Sequence, residues 1–331
     1  MKFLKHYIQE QNMSENKKWK EKLISSSFPL EYLVSRKLAA LDIAVQNEFT
    51  YSRDDAGILK DFSIDLQGNY WNEECTFNLI FLIECKQRHD KNKWLFMRDP
   101  NISDFSSHTL GYTIRTVDNF TRMIVPTEST YALDEKIDFV VKGLEIDTSN
   151  GNVYDNELKH GLSKLAYALP DVMIKNISHC IHSHKEDNIP FFFVPILLTT
   201  SELFVTHDDF SLEKIRGAQE LEDISEKVAY VIMENQHTPG FGSHRAKRFS
   251  AYDYFLDSPQ LGFINSLREK HGEYTHTLPM ERIMDLANNP HQPFPEYFSQ
   301  ILVCSLSSLD SLIMEIIEIV ENAMKDAKKL A

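Results

Sequence analysis

The chain has no CxxC pair, no apolar stretch as long as a membrane span and no surplus of basic charge. Each lack excludes something. Four cysteines, Cys75, Cys85, Cys180 and Cys304, lie far apart in 331 residues. That spacing argues against a disulfide framework and fits free thiols in a reducing compartment. The amino terminus, MKFLKHYIQEQNMSENKKWKEK, is charged throughout and lacks an h-region, so a soluble cytoplasmic protein without a membrane partner is expected. A formal charge of −14 excludes broad electrostatic attraction to nucleic acid, because holding phosphates takes Lys and Arg. Any nucleic-acid function must rest on local basic patches. With 42% hydrophobic residues and only 11 glycines and 12 prolines, the composition is that of a globular chain with one large or two ordinary domains.

Residues 1–24 read as a charged, peripheral helix. Ser27 as N-cap and Pro29 in the first turn begin a second helix, running to about Gln46. Three strands follow at 47–52, 58–68 and 76–86, with polar linkers short enough for an antiparallel meander. Residues 87–110 read as loop, 111–125 as a helix on the spacing of Ile114, Val117 and Thr121, and 136–147 as a strand closed by the SNGN turn. The segment from Asp155 is an amphipathic helix that Pro170 kinks or divides. IPFFFVPILLTT and SELFVTH are strands, the first apolar throughout as a doubly covered strand should be. Beyond residue 208 the pattern is mixed helix and strand, then a loop at HTPGFGSHRAKRFS, a strand at 300–306 and a long closing helix. These elements make an α/β protein with a mixed sheet. Its expected core is 25–206 with an insertion at about 87–150, followed by a mostly helical extension, 207–331, that brings a strand and a helix back to the core.

One stretch carries chemistry. Alternation along LIFLIECK places Ile80, Leu82, Glu84 and Lys86 on one face. In the preceding strand Asp61, Ser63 and Asp65 share a face, so either aspartate is a candidate partner for Glu84. Two carboxylates on one face need a reason to coexist, and a divalent ion with oxygen ligands and open water positions supplies one. A lysine beside them can orient or help deprotonate a water while the ion stabilises charge on a phosphoryl oxygen. In the preceding helix, Glu31 heads a stripe with Val34, Leu38, Leu41 and Val45 and should point toward the sheet.

A helix bearing Glu31, a strand with Ile64-Asp65-Leu66, then Glu84-Cys85-Lys86 resembles the PD-(D/E)XK nuclease superfamily, with its restriction-endonuclease-like core. The resemblance is strongest over residues 28–86 and extends to the helix and strands at 152–206. It implies Asp65 and Glu84 as metal ligands, the Cys85 carbonyl as a further ligand, Lys86 as the catalytic lysine and Glu31 as an auxiliary acid. It further implies Mg²⁺, for which Mn²⁺ can substitute, and hydrolysis of phosphodiester bonds.

The basic islands KQRHDKNKWLFMR and SHRAKRF offer Arg88, Lys91, Lys93, Arg245, Lys247 and Arg248 as nucleic-acid contacts, with Trp94 or Phe249 for stacking. HCIHSH lacks the second ligand pair of a zinc site and reads as a polar helix end. The expectation is a metal-dependent endonuclease acting on DNA before RNA, suited to restriction or phage defence, with a homodimer or protein contact through 207–331. The rival is a non-catalytic binding or scaffold module on the same fold.

Overall fold

The structure is a computed structural model that describes residues 18–55, 57–100, 108–118, 121, 123–182, 188–235, 238–250, 288–289 and 295–330. Residues 18–25 are helical and exposed. Helix α1 (Phe28–Ala40) follows, with proline in its first turn, and the chain reverses at Asp42, whose φ is 57°. A meander comes next: β1 (Ala44–Asp55), β2 (Ile58–Trp71) and β3 (Asn78–Lys86). Then come β4 (Asn92–Arg98), β5 (Arg115–Val117), β6 (Phe139–Asp147) and β7 (Asn152–Tyr154). Helix α2 (Asn156–His182) leads to β8 (Phe191–Thr199), β9 (Glu202–Thr206), β10 (Ser225–Val228) and β11 (Tyr230–Glu234). Helix α3 (Pro239–Phe249), β12 (Gln300–Ser305) and α4 (Leu309–Leu330) complete the labelled elements.

The protein is a mixed α/β structure built on one twelve-stranded sheet in the order β1-β2-β3-β8-β12-β11-β6-β4-β9-β10, with β5 beside β8 and β7 beside β6. Strands β1, β2 and β3 pair antiparallel, and β8 runs parallel to β3 after the chain has crossed over through α2. Every residue of β3 and β8 is buried, as their unbroken apolar runs require once helices cover both faces. On one face Leu158, Leu162, Leu165 and Leu169 of α2 pack with Phe241 and Phe249 of α3 over Ile80, Leu82 and Leu197. On the other, Val34 and Leu38 of α1 and the Leu312–Ile316–Val320 stripe of α4 cover Leu79, Phe81 and Ile83. The described residues beyond 206 join the same sheet and its covering layer. Strands β11 and β12 lie in the middle of the sheet, and α4 closes the α1 side.

A bend in the β1–β2 hairpin matters for the site. Ile64 packs with the α2 layer and Leu66 with the α1 layer, although residues two apart on a regular strand share a face. The ladder pairs Asn47 with Leu66 and Phe49 with Ile64, and Glu48 breaks it between them in the left-handed region, at φ 59°. Asp65 sits at that break. The outer half of the hairpin therefore swings Phe49, Tyr51 and Phe62 toward α2.

Several expectations are corrected. Residues 111–125 form β5 and irregular chain, because Arg115–Val117 take the edge of β8 beside Phe191–Phe193 and Ile114 is core. The loop expected at 87–110 contains β4, where Trp94, Leu95 and Phe96 are buried. The glycine-rich 237–250 segment contains α3, started by Thr238 accepting from the Phe241 N–H with proline in the first turn. Its Phe241, Arg245 and Phe249 fall on one buried face. Helix α1 stops at Ala40 rather than near Gln46, so Val45 belongs to β1. Pro170 lies inside α2, which continues past it.

Candidate active site

Asp65 and Glu84 meet where β2 bends away from β3. The β2–β3 ladder runs from Trp71 opposite Asn78 to Leu66 opposite Ile83 and there ends. The next N–H on the β2 side of β3, that of Cys85, donates to Asp65 Oδ2 at 2.6 Å instead. Lys86 O on the other edge accepts from Thr200 N, so by strand alternation the Cys85 carbonyl follows its own N–H toward Asp65. An aspartate oxygen, a glutamate and a main-chain carbonyl thus border the same gap between separating strands.

Two lysines reach Glu84, one from β3 and one from α2. Lys86 Nζ lies 3.1 Å from Glu84 Oε1 and 3.6 Å from Glu157 Oε2. Lys164 of α2 places Nζ 2.7 Å from Glu84 Oε1, 2.6 Å from Oε2 and 3.7 Å from Asp65 Oδ1. It aligns as a donor only to Oε1, so the buried Oε2 has no hydrogen bond. Glu157, His160, Lys164, Tyr167 and Asp171 recur at three and four residues, which is the α2 stripe over this end of the sheet. Gly161 lets the helix come close. A Cβ there would lie 2.5 Å from Leu197 Cδ1 and 3.1 Å from Lys86 Cε.

Glu84 is 1% exposed. Burial and the neighbouring Asp65 hold its carboxyl above the ordinary range, and Lys164 and Lys86 only partly offset them. No group of three or more His, Cys, Asp or Glu side chains placed to hold a metal occurs among the described residues. An ion here would therefore draw on two carboxylates, the Cys85 carbonyl and waters, which is within the habits of Mg²⁺. The Glu84 Oε2 that accepts no hydrogen bond, in a carboxyl whose pKa burial and Asp65 raise, fits such an ion.

Glu31 does not head the buried stripe of α1. Leu30, Val34 and Leu38 are the buried positions, and Glu31 is half-exposed beside them. Its charge nevertheless reaches the site, contributing with Asp65 and Glu84 to the upward push on the Cys85 thiol, for which burial is the largest cause. Asp61 is removed from the site: it is exposed and accepts from Ser52 Oγ across the hairpin at 2.7 Å.

The basic islands divide. Arg88 forms a two-pronged pair with buried Glu145, whose carboxylate also takes Asn92 Nδ2 and the Trp94 indole. Lys93 pairs with Glu202. Arg245 is 3% exposed and stacks on Phe241 and Phe298. Arg248 spans Asp171, at 2.9 Å, and the Ser52 carbonyl, at 2.6 Å, and so ties α3 to the hairpin. These four hold the fold together and are not set out for phosphates. Lys91 and Lys247 are exposed. Trp94 and Phe249 are core and cannot stack on bases. In HCIHSH, His184 and the side chains of Cys180 and His182 lie outside the described residues, and His179 is exposed.

Sequence reasoning missed Lys164. The signal was present in the Glu157–Gly161–Lys164 spacing of four and three, with glycine where a close approach was needed, but it is legible only once α2 is known to cross β3. No helix among the described residues is long and apolar enough to cross a membrane. The chain matches no protein-family model, no characterised protein and no solved structure.

Proposed function

We infer that the protein is a metal-dependent nuclease of the PD-(D/E)XK kind, hydrolysing phosphodiester bonds in nucleic acid, with DNA favoured over RNA. One observation carries the reading. Asp65 and Glu84, nineteen residues apart in the chain, converge at the end of the β2–β3 ladder, with the Cys85 N–H donating to Asp65 and the Lys86 ammonium 3.1 Å from Glu84. The order of elements supports it: a helix, an antiparallel three-strand meander, and a crossover helix into a strand parallel to the third. That order of elements is compatible with a restriction-endonuclease-like core.

Asp65, Glu84 and the Cys85 carbonyl would hold Mg²⁺ or Mn²⁺. Bound there, the ion supplies charge for the phosphoryl oxygens and acidifies a bound water. Lys86, held 3.1 Å from Glu84 Oε1, would donate to an attacking water and fix its orientation. Glu157, 46% exposed, holds the lysine from the solvent side. Water is otherwise kept from Glu84 by α2, which Gly161 allows to lie against the sheet.

A second reading has its own observation. Lys164 and Lys86 together balance Asp65 and Glu84, so the cluster can persist as an ion-paired strand end in a scaffold protein. Cleavage assays with Mg²⁺ or Mn²⁺ on single- and double-stranded DNA and RNA separate the two, with Glu84→Gln and Lys86→Ala proteins alongside. The nuclease reading expects metal-dependent cleavage that falls by at least about a hundredfold in each variant. Wild-type protein that cuts nothing, and whose melting temperature Mn²⁺ leaves unmoved, establishes the scaffold reading.

A further inference from the structure

We propose that Arg53, on the bent arm of β1, is the phosphate clamp of this site, gripping a backbone phosphate of the nucleic-acid strand next to the one that is cut. The proposal rests on the nuclease reading and names the group that positions its substrate.

Arg53 is unlike the other arginines near the site. Arg88 and Arg248 are ion-paired, and Arg245 is buried. The Arg53 guanidinium is half-buried, and among the described residues no carboxylate or carbonyl takes a hydrogen bond from it. It lies between two rings instead, its Cζ 3.9 Å from the centroid of Phe62 and 4.8 Å from that of Tyr167. Two aromatic faces fix the plane of a guanidinium while leaving its N–H edge unspent. A fixed fork with unspent donors is the form in which arginine recognises phosphate.

Its place in the fold puts that fork beside the scissile position. Tyr167 follows Lys164 by three residues on the α2 stripe, and Phe62 precedes Asp65 by three on β2. The fork therefore sits one turn of α2 along from the lysine that touches both carboxylates. Between them lies Tyr51, 3% exposed, whose hydroxyl has no hydrogen-bond partner. That hydroxyl feels both the Arg53 and the Glu84 charge. On the other side His160, which burial and then Lys86, Lys164 and Arg53 disfavour as a cation, reports the same cluster of positive charge. Lys86 and Lys164 are spent on Glu84, Asp65 and Glu157, so of the three cations at this end of the sheet Arg53 is the one with N–H donors left for an anion.

The test is steady-state cleavage in Mg²⁺ of short fluorescein-labelled DNA and RNA, single- and double-stranded, by the native chain, Arg53→Gln and Arg53→Lys, over a range of salt. Arg53→Gln should raise KM roughly tenfold, as loss of a charged hydrogen bond does, with kcat changed by less than about twofold. Its slope of log(kcat/KM) against log salt should fall by about 0.9 on duplex or about 0.7 on single strands. Arg53→Lys should keep the slope but raise KM several-fold, because charge remains while the fork is lost. If circular dichroism shows Arg53→Gln unfolded, Arg53→Lys carries the test, and a native KM in that variant overturns the clamp. If the native chain cuts and both variants match it in KM and slope, the clamp is wrong and the nuclease reading stands. A native chain that cuts no substrate overturns both.

Discussion

Lys164→Met removes the cation nearest to both carboxylates. In the native site its Nζ lies 2.6 Å from one oxygen of a glutamate that is almost wholly buried, and 3.7 Å from Asp65. Taking away one partner of a buried ion pair costs about 3–5 kcal/mol, chiefly because the remaining charge is left uncompensated. Two features place this case at the lower end. Lys86 still stands 3.1 Å from Glu84, and the Cys85 N–H still serves Asp65. A loss of about 3 kcal/mol is expected in EDTA, read from urea unfolding followed by tryptophan fluorescence and circular dichroism. Mn²⁺ should then shrink the deficit. An ion at a hundred times its dissociation constant stabilises by about 2.7 kcal/mol, and it binds better where no ammonium competes for the same oxygens. The variant should therefore gain more from Mn²⁺ than the native chain does. A deficit under about 1 kcal/mol in EDTA, or one equal with and without Mn²⁺, would falsify the account of a carboxylate pair waiting for a cation.

Two further perturbations test the surroundings. Gly161→Ala gains about 1 kcal/mol of helix propensity, but its Cβ would meet Leu197 at 2.5 Å and Lys86 Cε at 3.1 Å. Overpacking of that kind costs about 1–3 kcal/mol, so stability should fall and cleavage with it as Lys86 is displaced; a more stable, fully active variant refutes the close approach. Asp134, 3% exposed, is raised by burial to about 6 although the Gly111 N–H, Thr113 and Arg115 oppose the shift. The folded state thus holds a proton there that the unfolded chain releases near its ordinary value of 3.8. Between about pH 4 and 6 the native state binds more protons than the unfolded state. Stability is therefore greatest below that window and falls as pH rises through it, by up to roughly 3 kcal/mol from this group. Urea midpoints measured across the window should show the fall, and Asp134→Asn should flatten it.

The elements that position the site were legible because each follows a local rule. Apolar alternation marks β3, an unbroken apolar run marks β8, and proline after serine marks the start of α1. What escaped depends on tertiary context. Arg115 reads as a solvated helix residue, yet its guanidinium is wholly buried and spent on the Tyr297, Gln300 and Thr113 carbonyls. Two glycines hide α3, whose helical state comes from burying Phe241 and Phe249 more than from propensity. The bend at Glu48 cannot be read from alternation, since it consists in breaking alternation. It nonetheless decides which hairpin residues face α2.

That bend also bears on how so acidic a chain would offer a place for phosphate under the proposed reading. Glu84 and Lys86 keep their strand positions, while the hairpin beyond Asp65 turns its far half toward α2 and brings Arg53 onto Tyr167. Around the gap stand three cations, Arg53, Lys86 and Lys164, and three carboxylates, Asp65, Glu84 and Glu157. Without an ion these charges cancel, and the surrounding surface of a chain at −14 repels a nucleic-acid backbone. On the nuclease reading, a divalent ion on Asp65 and Glu84 would make the same cluster positive by two charges where the strand is cut. Attraction, orientation and chemistry would then depend on a single occupancy, and on that reading metal would control where the chain holds a substrate as well as whether it cleaves one.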